Sequence, residues 1–348
     1  MDIMSSTMAY SGINTKVKAM HAKLISNEDY QRISALETVA DFIAFLKKHP
    51  GYAELFQKYD EREIHRGEAE RIFVNGLYMD YTKIFRFAND FQRLDLQLVF
   101  FRYEINVLKT CIRLLHKKED PYDLSVFQPF FSKHSKINVT ALSSSRSIDE
   151  YIQNLKGTEY YNLLARLHGK PDLTSFDYEM ALDVYYFTKS WHIKDTVLSK
   201  NSKKAFTQRM GTEIDLLNIM WIYRSKKMYD MNEAQILTYL IPVYYKLSAS
   251  SLARLVQAPT LDEFMNVLAA TKYRKFIESL KNGTMEQEYI RIINKIYKAN
   301  ITRYPASMST VNYYLFCKDM EINRLTTALE CIRYGLDQKK RQDYLLQL

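Results

Sequence analysis

The chain has 348 residues, 47% of them hydrophobic and 14% aromatic, enough apolar material for two or three cores and too much for a disordered protein. Only 9 glycines and 7 prolines are present, too few for the many turns of a β protein, so long helices are expected. The formal charge of +9 favours an anionic neighbour, and no uncharged apolar run approaches the ~18 residues needed to span a bilayer.

Three markers recur in order along the chain. The first is a helix start, with a hydroxyl residue placed to accept from first-turn amides, an acid three residues on in a capping-box pattern, and a leucine four residues after an aromatic. It opens at Thr38, Val39, Asp41, Phe42, Ile43 and Leu46, and Tyr52 follows. The aromatic and the leucine share one helical face, which is expected to be buried. Next comes a tyrosine, Tyr78, expected at the end of an apolar helix. A long helical pattern from Leu94 to Leu115 follows, with Arg102, Asn106, Lys109 and Arg113 on its polar side. It contains Glu104, Val107 and Leu108.

The series then repeats. Ser147, Ile148, Glu150, Tyr151, Ile152, Leu155 and Tyr160 are followed by Tyr185 and by Asp215, Asn218 and Ile219. A periodic stretch from Ala234 to Leu247 is expected to break at Pro242. The third copy reads Thr260, Leu261, Glu263, Phe264, Met265, Leu268 and Tyr273, then Tyr297 closing the periodic run from Met285, then Glu321, Arg324 and Leu325. Three ordered markers imply triplication of a unit of about 110 residues, longer than solenoid repeats. The expected domains are 1–116, 117–227 and 228–348, all helical.

The acids Glu104, Asp215 and Glu321 are read as equivalent helix positions that satisfy a neighbouring element, with a contact to a partner protein as the alternative. Arg113 and Arg224 follow the first two acids by about nine residues, on the opposite helix face, so acid and arginine cannot pair within their helix. Glu330 holds that place in the third copy, with Arg333 about one turn later. Basic residues concentrate at Lys16, Lys18 and Lys23, from Lys194 through Lys200, Lys203 and Lys204 to Arg209, and at Lys339, Lys340 and Arg341. Each group is either a solvated face or a binding surface, and Lys16, Lys18, Arg113, Arg224 and Arg333 are the candidate partner contacts.

Catalytic signatures are missing. The chain has no GxxxxGK or GxGxxG loop, no GxSxG elbow and no pair of histidines at helical zinc spacing, so no catalytic residue, cofactor or metal is expected. Most of the 27 tyrosines stand at helical spacing among aliphatics, as at Tyr239, Tyr244 and Tyr245. They are read as core or helix-interface residues and not as a nucleic-acid platform. Cys111, Cys317 and Cys331 show no paired spacing, and the first residues lack a signal-peptide pattern. An untargeted protein of a reducing cytoplasm is expected.

Four stretches resemble one family, the C subunits of V-type and A-type rotary ATPases, whose vacuolar member is termed the d subunit. Tyr10, Asn14, Val17, Lys18, Leu24, Ile25 and Tyr30 are similar to its opening helix. Tyr103, Glu104, Ile105, Val107, Leu108 and Lys109 resemble its YD-x-x-NLK segment, with Val107 in place of Asn. Asp215, Asn218, Ile219 and Arg224 match a second occurrence. Tyr314, Lys318, Asp319, Glu321, Ile322 and Leu325 resemble its C-terminal Y-x-x-x-KE-x-E-x-x-NL stretch, with Arg324 in place of Asn. The resemblance implies three similar helical domains forming a funnel around a pseudo-threefold axis. It also implies a non-catalytic part of the central rotor, peripheral on the cytoplasmic face of the membrane. There it would join the proteolipid ring to the central stalk and transmit torque for proton or sodium transport, with no small-molecule substrate. A free-standing helical scaffold and a helical enzyme with one deep acidic pocket are the competing readings.

Overall fold

The computed structural model describes residues 3–117, 123–171, 173–229 and 231–346. Every regular element among them is helical, so the protein is all-α. The seven longest helices are numbered in chain order: α1 (Ile3–His21), α2 (Arg66–Phe87), α3 (Asp90–Lys117), α4 (Ser175–Val197), α5 (Lys200–Met228), α6 (Met285–Arg303) and α7 (Ser309–Arg333). Short helices fill the connections. No helix among the described residues is long and apolar enough to cross a membrane.

The chain forms two compact units. One joins Met1–Arg93 to Ile301–Leu348, and the other is Leu94–Asn300. In the first, α7 packs on α1 and α2, and the final helix Gln338–Leu346 lies against Asn27–Ser34. In the second, α4 packs on α5, which also carries the short helices Glu233–Tyr239 and Leu261–Ala269. The first expected domain border, near 117, adjoins residues 118–122, which lie outside the described residues. The second falls at the end of α5.

The three repeated hydroxyl residues are N-caps. Thr38, Ser147 and Thr260 have extended backbones, and their side chains accept from the amides of Asp41, Glu150 and Glu263. The acids do not return the bond to the cap amide. Thr38 Oγ1 donates to Asp41 at 2.6 Å, and Glu150 accepts from the amide of Arg146, one residue before the cap. Reciprocal capping boxes form elsewhere, at Ser26 with Asp29, Thr174 with Asp177 and Asn232 with Gln235. The face behind each repeated cap is fully buried at Phe42 and Leu46, Tyr151 and Leu155, and Phe264 and Leu268.

Two expectations need correction. Tyr78, Tyr185 and Tyr297 lie within α2, α4 and α6 and do not end them, because no breaker follows and the helical pattern continues for further turns. Pro242 does end regular structure, and the helix before it stops at Tyr239. The segment beyond is irregular and bends at 245–247, and Tyr244 is 51% exposed where a core position was expected.

Replacing Thr38, Ser147 or Thr260 by alanine removes an accepting oxygen from a first-turn amide. Each change is expected to lower stability by about 1 kcal/mol, read as a shift in the urea midpoint at constant slope.

Candidate functional site

The three recurring acids and the three recurring tyrosines meet. Tyr160 Oη donates to Glu104 at 2.5 Å, Tyr273 Oη to Asp215 at 2.7 Å, and Tyr52 Oη to Glu321 at 2.5 Å. All six residues are buried. Each acid sits on a long helix, α3, α5 or α7, and each tyrosine follows a repeated capped helix, Tyr52 and Tyr273 in turns and Tyr160 as the first residue of the helix Tyr160–His168. The pairs cross the blocks in which the markers recur: the acid of one block takes the tyrosine of the next, and the last acid takes the first tyrosine.

A third segment converges on every pair, and the marker pattern missed it. Asp215 accepts from the amides of Lys246 at 2.8 Å and Leu247 at 3.0 Å, and more distantly from Tyr245 at 3.4 Å. Glu321 accepts from the amide of Ile25. At Glu104 the hydroxyl of Ser135 donates to the carboxylate and accepts from the amide of Ile137 at 3.0 Å. Ile25, Ile137 and Leu247 are buried, and each precedes a capping residue, Ser26, Asn138 or Ser248. That aliphatic-then-cap dipeptide is the sequence signal for this part of the arrangement.

Two glycines allow the close approach. A Cβ on Gly51 would stand 2.3 Å from the carbonyl oxygen of Lys23, so the stretch of chain before Tyr52 could not reach the one before Ile25. A Cβ on Gly211, one turn before Asp215, would lie 2.4 Å from Cγ of Tyr245. Asn218 adds a fixed point to the same segment, donating to the carbonyl of Ile241 at 3.0 Å and accepting from its amide at 2.9 Å. Val107 and Arg324 hold the corresponding places on α3 and α7. Val107 is buried, while Arg324 stacks 3.6 Å from the ring centroid of Tyr30 and donates to the carbonyl of Leu345.

The electrostatics differ among the three sites. Burial pushes Glu104 and Asp215 above the usual carboxylate range, against the donors that favour their ionised forms. Burial and then the adjacent carboxylate hold Tyr52, Tyr160 and Tyr273 well above the ordinary phenol value. Of the three acids, Glu321 alone has a cation in direct contact. Lys318 Nζ lies 2.7 Å from its carboxylate, donates to Tyr52 Oη at 2.8 Å and sits 4.1 Å from that ring's centroid.

Open clefts flank two of the pairs at corresponding places. One of about 540 Å³ is lined by Glu104, His134, Lys136, Glu159 and Tyr160. Its acids are engaged: Glu104 by Ser135 and Tyr160, and Glu159 by Lys189 and Tyr185. The other, of about 280 Å³, lies beside Lys318. Among the described residues no group of three or more His, Cys, Asp or Glu is placed to hold a metal ion.

The arginines opposite the acids join neighbouring helices. Arg113 reaches Glu179 of α4 at 3.3 Å, and Arg224 pairs with Glu286 at the start of α6. On α7 the pair survives with reversed signs, Glu330 meeting Arg66, the first residue of α2, at 2.5 Å. Glu286 lies in the first turn of α6, where the dipole favours an acid, and the reversed arrangement, with Arg66 opening α2, gives up that benefit. Arg333 donates to Tyr334 Oη at 2.8 Å and lies 3.4 Å from Glu330. Lys16 is half-buried, 5.8 Å from the Phe87 ring centroid, and Lys18 is exposed. Three of the remaining basic residues turn inward: Lys194 pairs with Asp195 at 2.8 Å, Arg209 with Glu213, and Arg341 donates to the carbonyl of Leu36, while Lys200, Lys204, Lys339 and Lys340 are exposed. Burial opposes the charge on Glu213, yet Arg209 and Arg102, with the Tyr289 hydroxyl 2.9 Å away, hold its pKa below the usual value.

Tyr160→Phe and Tyr273→Phe are each expected to cost about 1–3 kcal/mol in urea unfolding. Glu321→Gln, which leaves Lys318 without its counter-charge, is expected to cost about 3–5 kcal/mol. A phenol whose pKa is raised on folding contributes stability that is fully present below its unfolded value near 10 and is lost as the pH climbs above it. Wild-type stability should therefore fall above pH ~10, and less steeply in the Tyr160→Phe/Tyr273→Phe variant. Gly211→Ala should destabilise despite alanine's helix propensity advantage of about 1 kcal/mol, because the Tyr245 ring must move.

The chain matches the family model of the ATP synthase (C/AC39) subunit over residues 13–344. It is 26% identical to the C subunit of the A-type ATP synthase of Methanosarcina mazei, over 88% of this chain and 80% of that protein. The corresponding A-type ATP synthase protein of Methanosarcina barkeri is also 26% identical, over 98% and 94% of the two chains. That of Thermococcus kodakarensis is 22% identical over 97% and 90%. The match runs from the third turn of α1 into the last helix and spans nearly all of the described chain: the chain belongs to the ATP synthase (C/AC39) subunit family.

Proposed function

We propose that the chain is a non-catalytic adaptor in the rotor of a V/A-type rotary ATPase, peripheral on the cytoplasmic side of the membrane. It would link the central stalk to the proteolipid ring and transmit torque for proton or sodium transport. The observation that carries the reading, beside family membership, is the threefold recurrence of one buried knot: a helix carboxylate, a tyrosine hydroxyl and a chain segment ahead of a cap. Acids committed to such knots brace helices and have little capacity left for proton transfer. A part that carries torque must resist shear between its helices, and close-packed elements pinned by buried hydrogen bonds do so.

The triplication we propose is cyclic. A repeat begins with an acid-bearing helix and ends with the following capped helices and tyrosine, so the N-terminal segment completes the repeat that α7 begins. The register of 1–116, 117–227 and 228–348 describes the same repeat cut at a different point.

The test is to tag the chain in its own cells, solubilise membranes gently and identify what copurifies by mass spectrometry. Proteolipid, central-stalk and nucleotide-binding subunits are expected together. Soluble partners alone, with the chain missing from washed membranes, would overturn the proposal. Lys16 and Lys18 as contacts to an anionic neighbour predict release that increases with salt as the screening length shortens from about 10 Å at 0.1 M to about 3 Å at 1 M.

A further inference from the structure

We infer that the cleft beside Lys318 receives an acidic segment of a partner polypeptide. The cleft, about 280 Å³, is formed within the unit built from both ends of the chain. Four ammonium groups line it, Lys16, Lys23, Lys83 and Lys318, with two carboxylates, Glu54 and Asp80; Lys318 is compensated by Glu321 behind it, which leaves Lys16 and Lys23 as the excess charge at the mouth. Asp80 is already engaged, accepting from Tyr314 at 2.7 Å and lying 3.4 Å from Lys83. Among the described residues no carboxylate pairs with Lys16 or Lys23, and Lys23 is exposed at the rim.

Lys318 gives the cleft a built floor. It is 3% exposed, and two of its three donors go to Tyr52 and Glu321. Met20, Leu55 and Met79 also line the cleft, so it offers apolar contact beneath a basic rim. A free phosphate would leave that apolar part unused. An Asp or Glu side chain uses both, placing its methylene groups against Met20, Leu55 and Met79 and its carboxylate among the lysines. The lysines suit a carboxylate approached as a point charge, with no guanidinium fork lining the cleft to demand a bidentate oxyanion. Occupancy would also stiffen the Tyr52–Lys318–Glu321 knot, which ties residues from the two ends of the chain.

The inference draws on the proposed function only in expecting a protein partner, and its test separates the two. A carbodiimide joins an ε-amino group to a carboxyl as an amide with loss of water, so it reports only pairs already in contact. Applied to the gently purified assembly, it should couple Lys16 or Lys23 to an Asp or Glu of another polypeptide. Lys16→Gln/Lys23→Gln should reduce the partner retained on the tagged chain several-fold at fixed salt, with the isolated chain's Tm unchanged, while Lys58→Gln, at an exposed site outside the cleft, should not. Coupling confined to this chain, for example to Glu54, or undiminished retention in the double variant, would overturn the inference. So would a rise in Tm with inorganic phosphate over chloride at equal ionic strength that the double variant abolishes, since the occupant would then be a small oxyanion. Coupling to a protein from outside the rotary ATPase would support the cleft while overturning the function.

Discussion

Burying a carboxylate is the constraint on which the rest of the structure turns. Removed from water, Glu104, Asp215 and Glu321 each need several donors at once, and no single helix can supply them. A tyrosine from one segment and an amide or hydroxyl from another therefore have to arrive at the same point. The apolar face of each capped helix drives burial without choosing a register, since hydrophobic contact is non-directional. The carboxylate chooses it, because only one placement of the tyrosine and the pre-cap segment satisfies its lone pairs.

The three knots solve the desolvation problem differently. Asp215 collects consecutive amides from one turn of chain, Glu104 interposes a serine hydroxyl, and Glu321 takes a lysine from its own helix. The reversed ion pair of Glu330 and Arg66 shows the same latitude at the surface. What is kept among the three knots is the geometry of crossing elements, while the atoms that supply the bonds vary.

Much of this is legible in the order of residues. The scarcity of glycine and proline indicates helices, the capped faces with Phe42, Tyr151 and Phe264 indicate core, and Glu104, Asp215 and Glu321 stand out by recurrence. The pairing partners do not, because a hydrogen bond between Tyr52 and Glu321 leaves no trace in local periodicity. Spacing suggests that acid and tyrosine belong to the same block, whereas topology matches each acid with the next tyrosine. The inward turn of Lys194, Arg209 and Arg341 is equally hidden, since a basic residue on a helix reads as solvated unless its neighbours across the fold are known. The family resemblance, by contrast, rests on order and spacing over the whole chain, which survive at 22–26% identity.

Closing one unit from both ends of the chain has a consequence for how the protein is made. The segment Leu94–Asn300 carries its own acids, tyrosines and pre-cap segments, and can consolidate while the ribosome is still at work. Residues before it leave the exit tunnel first yet wait longest, since Ile25 and Tyr52 lack their carboxylate until α7 emerges. For most of translation the nascent chain therefore presents an unfinished amino-terminal layer. A chain cut short before α7 would leave the Tyr52 hydroxyl without its carboxylate and its lysine.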